Sequence, residues 1–323
     1  MVSDLSSAYA ECERIAREHY ENFPVASLLM PRAMRPHVAA VYAFARAADD
    51  FADEGSLAAA HRIELLDGWE VRLHDSLAGP RVAPPRAEEP AATIRIFQAL
   101  GNTIAEKALP VSLFEDLLSA FRQDVTVGRY ATWTDVLDYC RRSANPIGRL
   151  VLRIAGYRDD RLDGWSDAIC SALQLTNFWQ DLSIDTRRGR VYLPADVLRA
   201  AGVECGADQT CLAEALAEAD GARNVGGGLP SGWRAALADA ADRTRELFNV
   251  GRPLCDAVGG RLRYELRAVW LGGTRILDRL HIADYDPFAH RPTLGAGDAL
   301  WLAWRFCTWR PPSAGLPRTS AAR

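Results

Sequence analysis

Apolar positions recur along this chain at three- and four-residue spacing almost throughout, the signature of amphipathic helices rather than strands. Alternating β-branched runs are missing, while Ala, Leu, Arg and Glu dominate the periodic segments. The spacing predicts helices over about 4–20, 34–53, 57–77, 90–107, 111–126, 132–156, 163–185, 194–201, 210–220, 232–249, 251–280 and 296–307. Proline-rich GPRVAPPRAEEP (79–90) and glycine-rich GARNVGGGLPSG (221–232) read as loops between them. The tail from residue 310, RPPSAGLPRTSAAR, reads as disordered. No fixed-period repeat occurs, and neither loop separates regions of differing composition. The expected fold class is therefore all-α: one helical domain over 1–309 and a tail over 310–323.

Composition narrows the setting. Hydrophobic residues make up 49% of the 323 positions and charged residues 25%, ample for a core and ordinary for a soluble protein. A net charge of −4 leaves no basic footprint, so nucleic acid is not an expected partner. The seven cysteines are scattered without a CxxC pair, which predicts reduced thiols in a cytoplasmic protein. The N-terminus is amphipathic and acidic, unlike a signal peptide. No apolar stretch reaches the roughly 18 residues needed to span a bilayer. The nearest, ALWLAWRFCTW (299–309), is interrupted by Arg305. It is expected to pack on the body; peripheral contact with the inner face of a membrane is the alternative.

Two acidic clusters change the picture from a helical body to a chemistry. In AADDFADE (47–54), Asp49, Asp50, Asp53 and Glu54 crowd the end of the apolar run VYAFARAA. Asp49 and Asp53 stack one turn apart, where like charges are mildly destabilising. They also sit at the C-terminal end of the helix, where the macrodipole disfavours anions. The bland explanation, a solvated helix end, fits poorly with the apolar residues Tyr42, Phe44, Ala45, Ala47 and Ala48 leading to them. In QLTNFWQDLSIDTRRGRVYLP (174–194), Asn177, Asp181 and Asp185 form a second stripe over two turns, again flanked by Phe178, Trp179, Leu182 and Ile184.

An Asn with carboxylates is an all-oxygen donor set, suited to Mg²⁺ rather than zinc or a redox metal. Mg²⁺ is commonly shared with substrate phosphates, so two acidic stripes imply a diphosphate held between them. Arg46, one turn before Asp50, and Arg187, Arg188 and Arg190, which trail the second stripe, are candidate phosphate contacts. The fitting reaction is metal-triggered ionisation: the charge that develops on the leaving diphosphate is neutralised, and an apolar cavity shields the cation from water. The six histidines show no mutual metal-ligand spacing. Asn145 before Pro146 either starts a turn or kink or places an amide in the cavity to orient a water.

These motifs resemble the squalene/phytoene synthase family of head-to-head prenyl transferases, over about His19 to Arg291. The family's D-x-x-x-D matches Asp49 and Asp53; its N-x-x-x-D-x-x-x-D followed by R-x-Y-[LF]-P matches Asn177, Asp181, Asp185, Arg190, Tyr192 and Pro194. FRQDVTVGRYATWTDVLDYCRRSANPIGRLVL resembles the central helices between them. The resemblance implies an isoprenoid-synthase helical bundle around a central apolar cavity, Mg²⁺ dependence and a prenyl diphosphate substrate, with pathway enzymes as partners. By motif match, Asp49, Asp53, Asn177, Asp181 and Asp185 would hold Mg²⁺. Arg46, Gln174, Arg190 and Tyr192 would contact diphosphate or orient the ligands, and Tyr42 and Tyr139 would face the cavity. His19 and Phe23 match the family's N-terminal substrate-contacting segment, and Arg291 falls where members often place a cation, a surface salt bridge being its alternative.

Departures point further. Many members carry a basic residue just before the first Asp of the second motif, where this chain has Gln180, and Glu21 and Asn22 stand where Ser or Lys is common. Fewer cations weaken the case for condensing two diphosphates. NFWQD, SANPIGRLVL and RAADDFADEG most resemble the hydroxysqualene synthases of bacterial hopanoid pathways, which implies presqualene diphosphate as substrate and water as the capturing nucleophile, without a dinucleotide. Gln174, Gln180 and Asn145 are the polar groups expected to position that water. The alternative is a condensing squalene or phytoene/dehydrosqualene synthase. A class I terpene cyclase fits DDFAD but not the second motif, and a prenyl-lipid binding subunit would not need all five metal ligands.

Overall fold

A computed structural model describes residues 2–18, 29–53, 57–79, 84–203 and 229–310. The expected helix 210–220, most of the 221–232 loop and the tail beyond 310 lie outside the described residues, as do His19 and Phe23.

Among the described residues the periodic pattern becomes helix and no strand. The helices are α1 (Val2–Glu18), α2 (Arg35–Asp53), α3 (Ala59–Ala78), α4 (Thr93–Lys107), α5 (Ser112–Thr126), α6 (Trp133–Ser143), α7 (Asn145–Ile154), α8 (Asp160–Arg187), α9 (Ala195–Ala200), α10 (Ser231–Gly251), α11 (Leu254–Ala257), α12 (Gly260–Ile282) and α13 (Ala296–Cys307). Buried side chains form a continuous cluster from Ala8 to Phe288.

Two of these helices organise the rest. α2 packs against α1, α3, α4 and α5, and Phe44 on it meets Trp69, Phe97 and Phe114 at ring-centroid distances of 5.5–6.0 Å. The long α8 packs against α6, α7, α10, α11 and α12. It buries residues on several faces, as its mixed sequence of small and aromatic residues predicts. Trp179 lies fully buried between α8 and α10, donating to Thr244 Oγ1 at 2.8 Å and stacking near Trp133. α7 touches both α2 and α8 and so joins the two groups.

Two helices expected as continuous are broken. The segment 132–156 divides at Ala144 because Pro146 has no N–H to continue the ladder. Thr132 and Asp135 form a capping box that starts the first half. The segment 251–280 divides where Val258 and Gly259 are extended and Gly260 adopts φ +60°, a conformation that only glycine takes cheaply. Gly148 serves a different need. A Cβ there would lie 2.3 Å from Ser166 Oγ and 2.5 Å from Cys170 Sγ, so its absence lets α7 approach α8 closely.

The segment 299–309 meets the expectation of packing on the body only along one side: Trp309 rests against Trp270 and Asp256, while Leu300 and Trp304 are exposed. Asp298, with no exposed side-chain surface, accepts from Arg279 Nη2 at 2.7 Å, Arg275 Nε at 2.6 Å and the Gly295 N–H at 2.8 Å, tying α13 to α12. The Arg279 hydrogen bond, with those of Gly295 and Arg275, holds its carboxyl well below the usual range.

Candidate active site

Helical spacing alone aligns Tyr42, Arg46 and Asp49 on one face of α2, and Gln174, Asn177, Asp181 and Asp185 on one face of α8. A cavity of about 230 Å³ lies between these helices, walled also by α5 and α7. Along α2 its lining changes from Val38, Val41 and Ala45 to Arg46 and Asp49. Leu117 and Phe121 of α5, and Ile147, Leu150, Val151 and Ile154 of α7, complete the apolar wall, while Gln174 and Ser143 add polar groups. A second, almost wholly apolar cavity of about 50 Å³ shares Val151 and continues toward α8, α11 and α12.

Arginines offset part of the acidic charge at the polar end. Arg46 Nη2 lies 2.5 Å from Asp50 Oδ1 and Nη1 3.5 Å from Asp49 Oδ2, which relieves the crowding of acids at the C-terminal end of α2. Asp53 closes α2; its side chain is outside the described set. On α8, Asn177 Nδ2 donates to Asp181 Oδ2 at 2.8 Å, and Arg291 Nε donates to Asp181 Oδ1 at 2.5 Å. Asp185, half-buried, stands where α8 ends, its carbonyl accepting from the Arg190 N–H at 2.9 Å.

Beside this stripe lies an aromatic box. The Val191 N–H donates to the Gly128 carbonyl at 2.7 Å, pinning the strand-like stretch after α8 to the α5–α6 loop. That contact lays Tyr192 flat on Phe178, with centroids 3.6 Å apart and 3° between planes, near Tyr130 and Tyr139. Tyr139 donates to Asp124 Oδ2 at 2.8 Å, and Arg190 Nη2 donates to the Asp124 carbonyl at 3.1 Å. Of the two tyrosines expected at the cavity, Tyr42 lines its wall and Tyr139 stands in this box. Burial, reinforced by the Asp124 charge, pushes the phenols of Tyr139, Tyr130 and Tyr192 well above their ordinary value, which keeps all three protonated. Burial likewise raises Tyr42.

Three expected site amides have different surroundings. Gln174 faces the cavity. Gln180, one residue off the stripe, donates to the Pro292 carbonyl at 2.6 Å. Asn145 is buried and accepts from Ser171 Oγ at 2.9 Å, tying α7 to α8. Asp124, Ser143 and Phe121 were not singled out from the sequence. Asp124 had a legible signal: it is an acid that continues the buried α5 stripe of Leu113, Leu117 and Phe121 at the next turn.

The donor chemistry at the two stripes fits Mg²⁺: amide and carboxylate oxygens, no histidine or thiol, and oxygens of Asp49 and Asp181 that already accept cationic groups. The oxygens of Asp49, Asp181 and Asp185 do not all lie within 4.8 Å of one another. Such carboxylates repel one another, and two of them are paired with separate arginines, Asp49 with Arg46 and Asp181 with Arg291. Among the described residues the one compact trio of metal-ligating types is Glu70, His74 and Glu115 on α3 and α5. Arg122 pairs with Glu70 there, so this trio is an ion-pair cluster.

An apolar cavity ending in guanidinium, carboxylate and amide groups suits a long apolar chain with a charged head. The squalene/phytoene synthase family profile matches residues 16–298. A hydroxysqualene synthase of Rhodopseudomonas palustris is 36% identical over 275 residues, covering 84% of this chain and 82% of that protein. One from Zymomonas mobilis is 40% identical over 188 residues, 58% of this chain and 59% of its own length. The crystal structure of squalene synthase HpnC from Alicyclobacillus acidocaldarius superposes with a TM-score of 0.74 at 38% identity, covering 88% of this chain and 97% of that one. The chain belongs to the squalene/phytoene synthase family, enzymes that process isoprenoid diphosphates.

Proposed function

We propose that this protein ionises presqualene diphosphate and lets water capture the cation, giving hydroxysqualene in a bacterial hopanoid or squalene route. The observation that carries the reading is the cavity whose apolar wall ends at Arg46, Asp49 and Gln174, beside the Asn177–Asp181–Asp185 stripe. The similarity to hydroxysqualene synthases over most of the chain supports it.

Asp49, Asp53, Asn177, Asp181 and Asp185 would hold Mg²⁺, which when bound neutralises charge on the departing diphosphate. The guanidiniums of Arg46 and Arg291, now on carboxylates, are placed to exchange onto phosphate oxygens. Valine, leucine and isoleucine walls from α2, α5 and α7 exclude bulk water from the hydrocarbon. Gln174 is the amide facing this space, so its side chain is the one to orient the attacking water; Gln180 and Asn145 hold Pro292 and Ser171. With Gln180 in place of a basic residue, the cation complement suits one diphosphate rather than two.

The test is to incubate purified protein and Mg²⁺ with presqualene diphosphate in water enriched in heavy oxygen, without NADPH. The expected product is an alcohol carrying solvent oxygen. Product that needs NADPH and carries no solvent oxygen, or efficient conversion of farnesyl diphosphate alone, would overturn the assignment in favour of a condensing synthase.

A further inference from the structure

The helix α13 carries a feature that the reaction does not use. Leu300, Ala303, Trp304 and Cys307 recur at i, i+3, i+4 and i+7 and are all exposed, Leu300 at 78% and Trp304 at 59%. This is an apolar stripe turned away from the body. The opposite side is firmly held: Asp298 is bound by Arg275 and Arg279, and the Arg275 guanidinium lies 4.7 Å from the Trp301 ring. The helix therefore cannot roll its apolar stripe inward without breaking a buried ion-pair network.

The charge around it is distinctive. The one acid of α13, Asp298, is buried in its ion pairs, and the exposed charged residues on and just beyond the helix are both arginines. Arg305 projects beside the stripe, over Trp301 and Trp304 at 5.7 and 6.0 Å, and Arg310 is exposed just beyond the helix. An apolar stripe with a tryptophan and flanking arginines matches the boundary between acyl chains and anionic headgroups. No described helix is long and apolar enough to cross a membrane, so the match is to a surface.

We propose that α13 docks the protein on an anionic lipid surface, with Leu300 and Trp304 entering the acyl boundary and Arg305 and Arg310 meeting headgroup phosphates. Other occupants suit the stripe less well. The chain beyond it, PPSAGLPRTSAAR, offers Leu316 as its one large apolar residue. A second copy paired through the same patch would bring its own Arg305 against this basic edge. The position also serves the reaction. The stretch leading into α13 is fastened to α8 by Arg291 on Asp181 and by Gln180 on Pro292, so the docking helix is tethered beside the metal-ligand stripe. A substrate and product of long hydrocarbon character would then exchange with lipid near the site.

The test is flotation of the full-length protein with vesicles of phosphatidylcholine and phosphatidylglycerol (about 7:3) or of phosphatidylcholine alone, without substrate. The wild-type protein should float with the anionic vesicles and do so less at high salt, which screens the headgroup attraction. Leu300→Ser/Trp304→Ser should lower the partition coefficient about tenfold or more, since two anchoring side chains are lost. Arg305→Glu should lower it on anionic vesicles only. Because Leu300 and Trp304 are exposed, the thermal melt of the double variant should match the wild type; Arg305→Glu provides a second reading that does not alter the apolar stripe. Equal flotation of wild type and double variant, or wild-type protein that stays unbound, would overturn the proposal. So would a light-scattering dimer that the double variant breaks, because a second copy would then cover the stripe. Since no substrate is present, failure here leaves the hydroxysqualene assignment standing.

Discussion

Gly148→Ala probes how closely α7 must approach α8 to wall the cavity. The added Cβ would fall 2.3 Å from Ser166 Oγ and 2.5 Å from Cys170 Sγ, both well inside van der Waals contact. Ser166, Cys170 and Gly148 all line the second cavity of about 50 Å³, so relief means turning a side chain into that small space. Overpacking of this kind costs about 1–3 kcal/mol. The Gly→Ala exchange within a helix returns about 1 kcal/mol through backbone entropy. With two contacts to relieve, the net destabilisation should be roughly 1–2 kcal/mol. In a Ser166→Ala/Cys170→Ala background the clash is gone and only the entropy gain is left. There Gly148→Ala should be neutral or stabilising by up to about 1 kcal/mol. Urea unfolding of the four proteins gives the cycle directly, and the sign of the Gly148→Ala effect should reverse between backgrounds. Ile147 and Val151 flank Gly148 on the cavity wall, so turnover should fall in the single variant and recover with the background changes. If Gly148→Ala is equally harmful in both backgrounds, the close approach of α7 and α8 is not what the glycine permits.

Other outcomes follow from the same geometry. Asp181→Asn should abolish turnover, as should chelation of divalent metal, while the urea midpoint shifts by no more than about 1 kcal/mol equivalent, because the Arg291 partner is 45% exposed and well screened; normal turnover would make Asp181 a structural residue. Glu89→Gln should cost about 3–5 kcal/mol by leaving Arg72 charged and buried without its bidentate partner at 2.7–2.9 Å; a loss under about 1 kcal/mol in urea unfolding would refute that. Burial pushes the thiols of Cys12, Cys170 and Cys255 up to about 12. Their folded values lie above the unfolded value near 8.5, so their stabilising contribution is complete below about pH 8.5 and is lost as pH rises toward 12. At pH 8 a disulfide reagent followed by peptide mass spectrometry should therefore find Cys307, which is exposed, labelled well before these three; labelling at equal rates would contradict the burial.

Much of this protein is legible without its tertiary structure, because helix geometry is local. The i, i+4 register of Asp49 with Asp53 and of Asn177, Asp181 and Asp185 follows from 3.6 residues per turn, whatever the helices later touch. The donor types in those stripes, all oxygen, point to a hard cation such as Mg²⁺ in the same way. Pro146 carried a break signal that reads as a turn or kink, whereas at Gly260 the apolar period runs through the site and masks the break. What packing decided are relations between distant segments. Gln180, Gln174 and Asn145 are equivalent amides in the sequence; the fold turns one to Pro292, one to the cavity and one to Ser171. Arg291 meets Asp181 across 110 positions, and Asp124 meets Tyr139 inside an aromatic box assembled from three separate stretches. The segment 299–309 shows the division most plainly. Its composition marks it as apolar, yet which side faces outward depends on Asp298 finding Arg275 and Arg279 on another helix. A buried charge must be paired wherever its partners lie, and no local period encodes that.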